Sequence, residues 1–142
     1  CPTLYLVHGM WEKNDVWANR GHIKDIMDCL TANGEVCEMI VVTPDAGGGD
    51  PNIYQNGYFD MAGWKYETFF FMEFLPFVEG RYRVIGDKQH RAIAGLSMGG
   101  GGAISYGQRH SDMFCAVYAM SALMDIPQEG AVFMTRTESW QY

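Results

Sequence analysis

Apolar residues fall in short runs along this 142-residue chain, and the spacing between runs predicts alternating strands and helices. Residues 3–7 are an apolar β-type run that stops at His8-Gly9-Met10. The polar stretch 11–21 reads as a surface loop. In residues 21–33, Ile23, Ile26, Met27 and Leu30 recur at helical spacing, and Asn33-Gly34 provides the stop. Residues 38–44 are a continuous apolar run, the pattern of a parallel strand buried on both faces, and Pro44 ends it.

Residues 45–63 are glycine-rich and lack periodicity, which predicts a long loop of the kind that tends to carry function. Helical spacing resumes over 64–80, with Phe69, Phe70, Phe74 and Phe77 as a core stripe and Pro76 as a kink. A buried strand over 91–96, a helix over about 99–110 and a strand over 113–122 complete the readable part. From residue 123 onward no element is evident. Strands alternating with helices predict a parallel sheet with right-handed crossovers and helices on both faces. Ligands of such sheets bind beyond the carboxyl ends of the strands. The loops starting at His8, Asp45, Ser97 and Ser121 should therefore converge.

Composition narrows the picture. Hydrophobic residues make up 48% and charged residues 19%, a globular balance. The net charge of −7 argues against nucleic acid and anionic membranes as partners. No apolar run is long enough to span a bilayer. Cys1, Cys29, Cys37 and Cys115 form no C-x-x-C pair and are expected as buried thiols, with a Cys29–Cys37 bridge left open by the spacing. Asp45 and Asp50 flank glycines but fit no calcium-loop spacing. The run Gly47 to Asp50 lacks the Lys-Ser/Thr of a phosphate loop, so neither a metal nor another cofactor is expected.

The candidate chemistry lies in Gly95-Leu96-Ser97-Met98-Gly99, a G-x-S-x-G pentapeptide between a buried strand and a small-residue helix. A serine forced into that turn exposes its hydroxyl as a nucleophile, and the flanking glycines leave room for close packing. The Met98 N–H, at the start of the following helix, is a candidate oxyanion donor. His8-Gly9 at the end of the first strand makes the Met10 N–H the second candidate, with His8 itself read as structural. Trp11, Trp17, Tyr54, Tyr58 and Trp64 either stack on a substrate or seal the loops against the core. Glu12-Lys13 and Arg81-Tyr82-Arg83 read as ordinary solvated charges.

Taken together, residues 3–10, 39–49, 67–84 and 91–122 resemble carbohydrate esterase family one, the feruloyl and acetyl xylan esterases, related to esterase D and mycolyltransferases. The resemblance implies an α/β-hydrolase fold, of which residues 1–142 would form a partial domain of about four central strands out of eight. The N-terminal strands and the C-terminal acid and histidine would be missing. It implies an acyl-enzyme on Ser97, oxyanion donors at Met98 and Met10, and acylated carbohydrate or aryl ester substrates. It also implies a secreted or periplasmic location, and a second chain or homodimer that completes the sheet. Family members place an acid and a histidine well after the nucleophile. Here Asp125, after the fourth strand, is the acid candidate, and His110 falls at the far end of the helix that starts at Ser97. An acyltransferase using the same serine, or an inert binding module without the triad histidine, stand as alternatives.

Overall fold

A computed structural model of the chain describes residues 1–47 and 57–123. Its elements, in chain order, are β1 (Thr3–Val7), α1 (Val16–Asn19), α2 (Ile23–Ala32), β2 (Ile40–Val42), β3 (Asp60–Met61), β4 (Trp64–Lys65), α3 (Tyr66–Phe69), α4 (Leu75–Arg81), β5 (Arg91–Leu96), α5 (Met98–Arg109) and β6 (Ala116–Met120). Four strands form one parallel sheet in the order β2-β1-β5-β6, with Tyr5 opposite Val42 and Ile93, and Ile93 opposite Val117. β3 and β4 make a small antiparallel hairpin that straddles the end of the expected loop and the first two residues of the expected 64–80 helix.

The core follows from the two central strands. Tyr5, Val7 and Ile93 are buried, and Phe70, Met98, Tyr106 and Phe114 pack with them. Tyr5 meets Phe70 edge-on at 5.5 Å and Phe70 lies 5.1 Å from Tyr106. Burial of a phenylalanine side chain of this kind stabilises by about 1.5–3 kcal/mol. Arg91, at the start of β5, is buried and fully employed. Its Nε donates to Glu79 Oε1 at 2.8 Å, and its terminal nitrogens donate to the Met113 and Gly86 carbonyls at 2.7 and 3.0 Å.

Several elements differ from the expected pattern. β2 is half-buried instead of buried on both faces; among the described residues it is a sheet edge with a strand on one side only. β6 is the other edge, and Val117 and Tyr118 are exposed. α2 buries none of its residues, and Ile26 is exposed. The stretch 11–21 contains the short α1 in place of a continuous loop. The helix expected over 64–80 runs from Tyr66 to Arg81, and its irregularity is a π segment at Phe70–Phe74 just before Pro76, which has no N–H to return to the preceding turn. The expected Phe stripe is broken: Phe70 is buried and Phe74 half-buried, Phe77 beyond the π segment is exposed, and Phe69, just before it, is exposed as well. All four cysteines are exposed free thiols, which corrects their expected burial. No helix among the described residues is long and apolar enough to cross a membrane. Among these residues no group of three or more potential ligands is placed to hold a metal ion.

Candidate active site

Ser97 joins β5 to α5 in a conformation that side chains rarely adopt, φ 56° and ψ −115°. Strain of this kind costs about 1–3 kcal/mol and persists only where the surroundings impose it. Here they do. The Ser97 N–H donates to the Met120 carbonyl at 2.9 Å, and its carbonyl accepts from Gly101 and Leu123 at 3.0 and 2.8 Å. The turn is thereby tied to its own helix and to the end of β6.

The glycines around it answer to close approach. A Cβ on Gly95 would overlap the Gly99 carbonyl, and one on Gly99 would meet the Val7 and His8 carbonyl oxygens at 2.5 and 2.6 Å. At Gly100 it would meet the Ala122 backbone at 2.9 Å, and at Gly102 the Tyr58 ring at 2.8 Å. α5 thus lies directly on the ends of β1 and β6 and on Tyr58, with Met98 buried at its first turn.

Facing Ser97 is the turn that leaves β1. His8 is fully buried. Its Nε2 accepts from the Ala46 N–H at 3.0 Å, so Nδ1 carries the proton and donates to the Gly9 carbonyl at 2.7 Å. The Gly9 N–H in turn donates to Glu12 Oε2 at 3.2 Å, and Arg20 reaches Glu12 Oε1 at 3.4 Å. Gly9 is held at both ends, which fixes the peptide that precedes Met10. Tyr58 locks the same turn from below, its hydroxyl donating to the His8 carbonyl at 2.9 Å while Tyr106 donates to the Tyr58 carbonyl. Burial, with Tyr66 adding to it, pushes the Tyr58 phenol well above its ordinary pKa, and burial does the same to Tyr106.

Gly9, Met10, Trp11, Glu12, Leu96, Ser97 and Leu123 line one cleft of about 260 Å³. Three of the four loops expected to converge contribute to its wall, and the Asp45 loop is tied to the turn after β1 through the Ala46–His8 bond. Trp11 stands on the rim, 64% exposed and at φ 61°. Tyr58, considered above as a substrate contact, is instead fully buried, where it braces His8 and packs on Gly102. Trp64 turns toward the core as well, donating to the Gly57 carbonyl at 2.8 Å and stacking on Tyr66. Asp45 caps its own turn through the Gly47 N–H at 2.8 Å. Tyr54, Asp50 and Asp125 lie outside the described residues.

None of the chain's four histidines lines the Ser97 cleft. His8 is committed to Gly9 and Ala46, and His22 is exposed at the start of α2. His90 pairs with Asp87, and His110 sits at the other end of α5, 3.0 Å from Glu67 and stacked on Phe71. Glu12 is the residue that sequence reasoning passed over. It looked like a surface charge, because nothing in a linear sequence shows that a carboxylate three residues on folds back to the Gly9 N–H.

The chain resembles an esterase of Mycobacterium tuberculosis, 34% identical over 121 residues, or 84% of this chain and 25% of the relative. It is 35% identical over 99 residues to an endo-1,4-beta-xylanase/feruloyl esterase of Xylanibacter ruminicola, or 70% of this chain and 13% of that protein. Its structure matches that of a ferulic acid esterase with a TM-score of 0.84 and 75% identity, over 89% of this chain and 48% of that one. A ferulic acid esterase of Anaeromyces mucronatus shares the fold at 23% identity, with a TM-score of 0.70. The chain spans about half the length of these solved structures and a quarter or less of the two sequence relatives. The parallel sheet is thus part of an α/β-hydrolase fold. A family model matches residues 1–141, and the chain belongs to the esterase family.

Proposed function

We propose that the protein is a serine ester hydrolase that cleaves feruloyl or acetyl esters of plant-type polysaccharides through an acyl-enzyme on Ser97. The observation that carries this reading is the strained Ser97 turn facing the clamped Gly9–Met10 peptide across one cleft. The 75% identity to a ferulic acid esterase supports the acyl class. In the proposed reaction Ser97 Oγ attacks the ester carbonyl and gives its proton to a base. The oxyanion is held by the Met98 and Met10 N–H groups. Collapse expels the sugar oxygen, which takes up the proton, and water then releases the acid from Ser97.

The base is a histidine from outside these 142 residues, because all four within them are placed elsewhere. It is supplied by further sequence of the same polypeptide or by a second chain that also covers the exposed edge at β6. An unassisted serine hydroxyl is a weak nucleophile, so the residues in hand make a nucleophile and oxyanion half-site. Substrates of this class place the enzyme outside the cytoplasm. The test is hydrolysis of methyl ferulate by this chain joined to the portion of the 75% identical ferulic acid esterase that it does not span. Turnover that disappears in Ser97→Ala is expected. Turnover that survives the substitution, or a completed protein without turnover, contradicts the reading.

A further inference from the structure

A second cleft opens beside the first. It holds about 250 Å³ and is lined by Glu12, Val16, Trp17, Arg20, Gly21 and Leu96. Two of these, Glu12 and Leu96, also line the Ser97 cleft, so the two spaces lie side by side with that pair as a shared wall. Sites for small organic ligands begin at roughly 300 Å³, and each cleft alone falls short of that while the pair exceeds it. An ester has two halves that diverge from the carbonyl carbon. With that carbon over Ser97, one half must leave along each side.

The linings differ in chemistry. Around Ser97 the walls are Met10, Trp11, Leu96, Leu123 and glycine backbone, with the shared Glu12 at the boundary, and suit an apolar or aryl acyl group; Arg20 lines the second cleft alone. The second cleft combines an indole with the Arg20–Glu12 pair. An aromatic carbon face with a carboxylate acceptor and guanidinium donors beside it suits a sugar ring, which offers C–H surface on one side and hydroxyls at its edge. Gly21 packs closely on Trp17, where a Cβ would meet the backbone oxygen at 2.9 Å and the ring at 3.1 Å.

We propose that the Trp17–Arg20 cleft is the subsite for the saccharide half of the ester, adjoining an acyl subsite at Trp11. This rests on the reading of Ser97 as an ester nucleophile but is tested without turnover. The experiment follows the tryptophan indole N–H signals by NMR, assigned with Trp11→Phe and Trp17→Phe, during separate titrations with xylotriose and methyl ferulate. It is run on the 142-residue chain and on the completed chain. Xylotriose is expected to shift the Trp17 signal and leave Trp11 in place, and methyl ferulate to do the reverse. Arg20→Ala, at a side chain that is largely exposed, should weaken xylotriose binding about fivefold. Xylotriose that shifts Trp11, shifts neither signal, or binds Arg20→Ala as well as the parent overturns the subsite. Loss of methyl ferulate hydrolysis would instead overturn the proposed function, so the two failures are distinct.

Discussion

Gly99 and Val7 touch through bare backbone: a Cβ on Gly99 would stand 2.5 Å from the Val7 carbonyl oxygen. The first turn of α5, with Met98 and its N–H, is therefore set directly against the end of β1. Gly99→Ala has no flexible neighbour to displace and must push the helix off the strand. Overpacking of this kind costs about 1–3 kcal/mol. We expect a lower urea midpoint and, in the completed enzyme, a loss of turnover larger than the stability change explains. An unchanged midpoint would mean that the contact is looser than the structure has it.

Glu12 acts on Ser97 chemistry through Gly9. Glu12→Ala removes the acceptor of the Gly9 N–H and loosens the His8–Gly9 peptide, leaving the peptide before Met10 held only through its Gly9 carbonyl. Since misplacement by about 1 Å costs on the order of 10²-fold, we expect kcat on methyl ferulate to fall by about 10- to 100-fold. Glu12→Gln keeps an oxygen acceptor and should restore most of the loss. A simple charge effect would leave Gln as poor as Ala, and that comparison of kcat decides between them.

Tyr5, Tyr58, Tyr66 and Tyr106 all have phenol pKa values raised first of all by burial. The folded state therefore holds these protons above the ordinary phenol pKa of about 10, where the unfolded chain releases them. Their contribution is fully present below about pH 10 and is lost as pH rises beyond it, by up to about 1.4 kcal/mol per pH unit for each phenol. Alkaline unfolding should be steep, and absorbance of phenolate at 295 nm should show these four ionising together with loss of the far-ultraviolet circular dichroism. Phenolate from all four before unfolding would contradict the packing around Tyr58.

Arg91→Ala leaves the half-buried Glu79 and Met113 carbonyl, and the exposed Gly86 carbonyl, without their shared donor. Losing one partner of a part-buried, charge-assisted network costs about 1.5–3 kcal/mol. The urea midpoint should drop accordingly, and Arg91→Lys should recover only part of it, because an ammonium cannot reach all three acceptors in a planar fork. Equal stability of Lys and wild type would rule out the fork as the reason for arginine here.

The nucleophile turn was legible because its chemistry is local. Gly95, Ser97 and Gly99 state a sharp strand-to-helix turn within five residues, and the strand of β5 precedes it in the same window. The run of glycines after Ser97 was visible, but its partners were not: Ala122 and Tyr58 come from distant parts of the chain. The same limit hid Glu12, whose role depends on how the turn after β1 folds back. Phe77 left the expected stripe for another reason, since a single π turn shifts every later side chain around the helix axis. Cysteine burial was inferred from residue type, and the buried faces of α2 and β2 from local apolar patterning. Which surfaces are covered depends on neighbours, and at both sheet edges the described residues supply one neighbour only.

The most direct test of the account is the intact mass of the completed enzyme before and after a fluorophosphonate probe. The account predicts one adduct, located on Ser97 by peptide mapping, absent in Ser97→Ala and much slower to form on the 142-residue chain alone. No adduct on the completed enzyme, or an adduct on another residue, would contradict the assignment of Ser97 as the nucleophile.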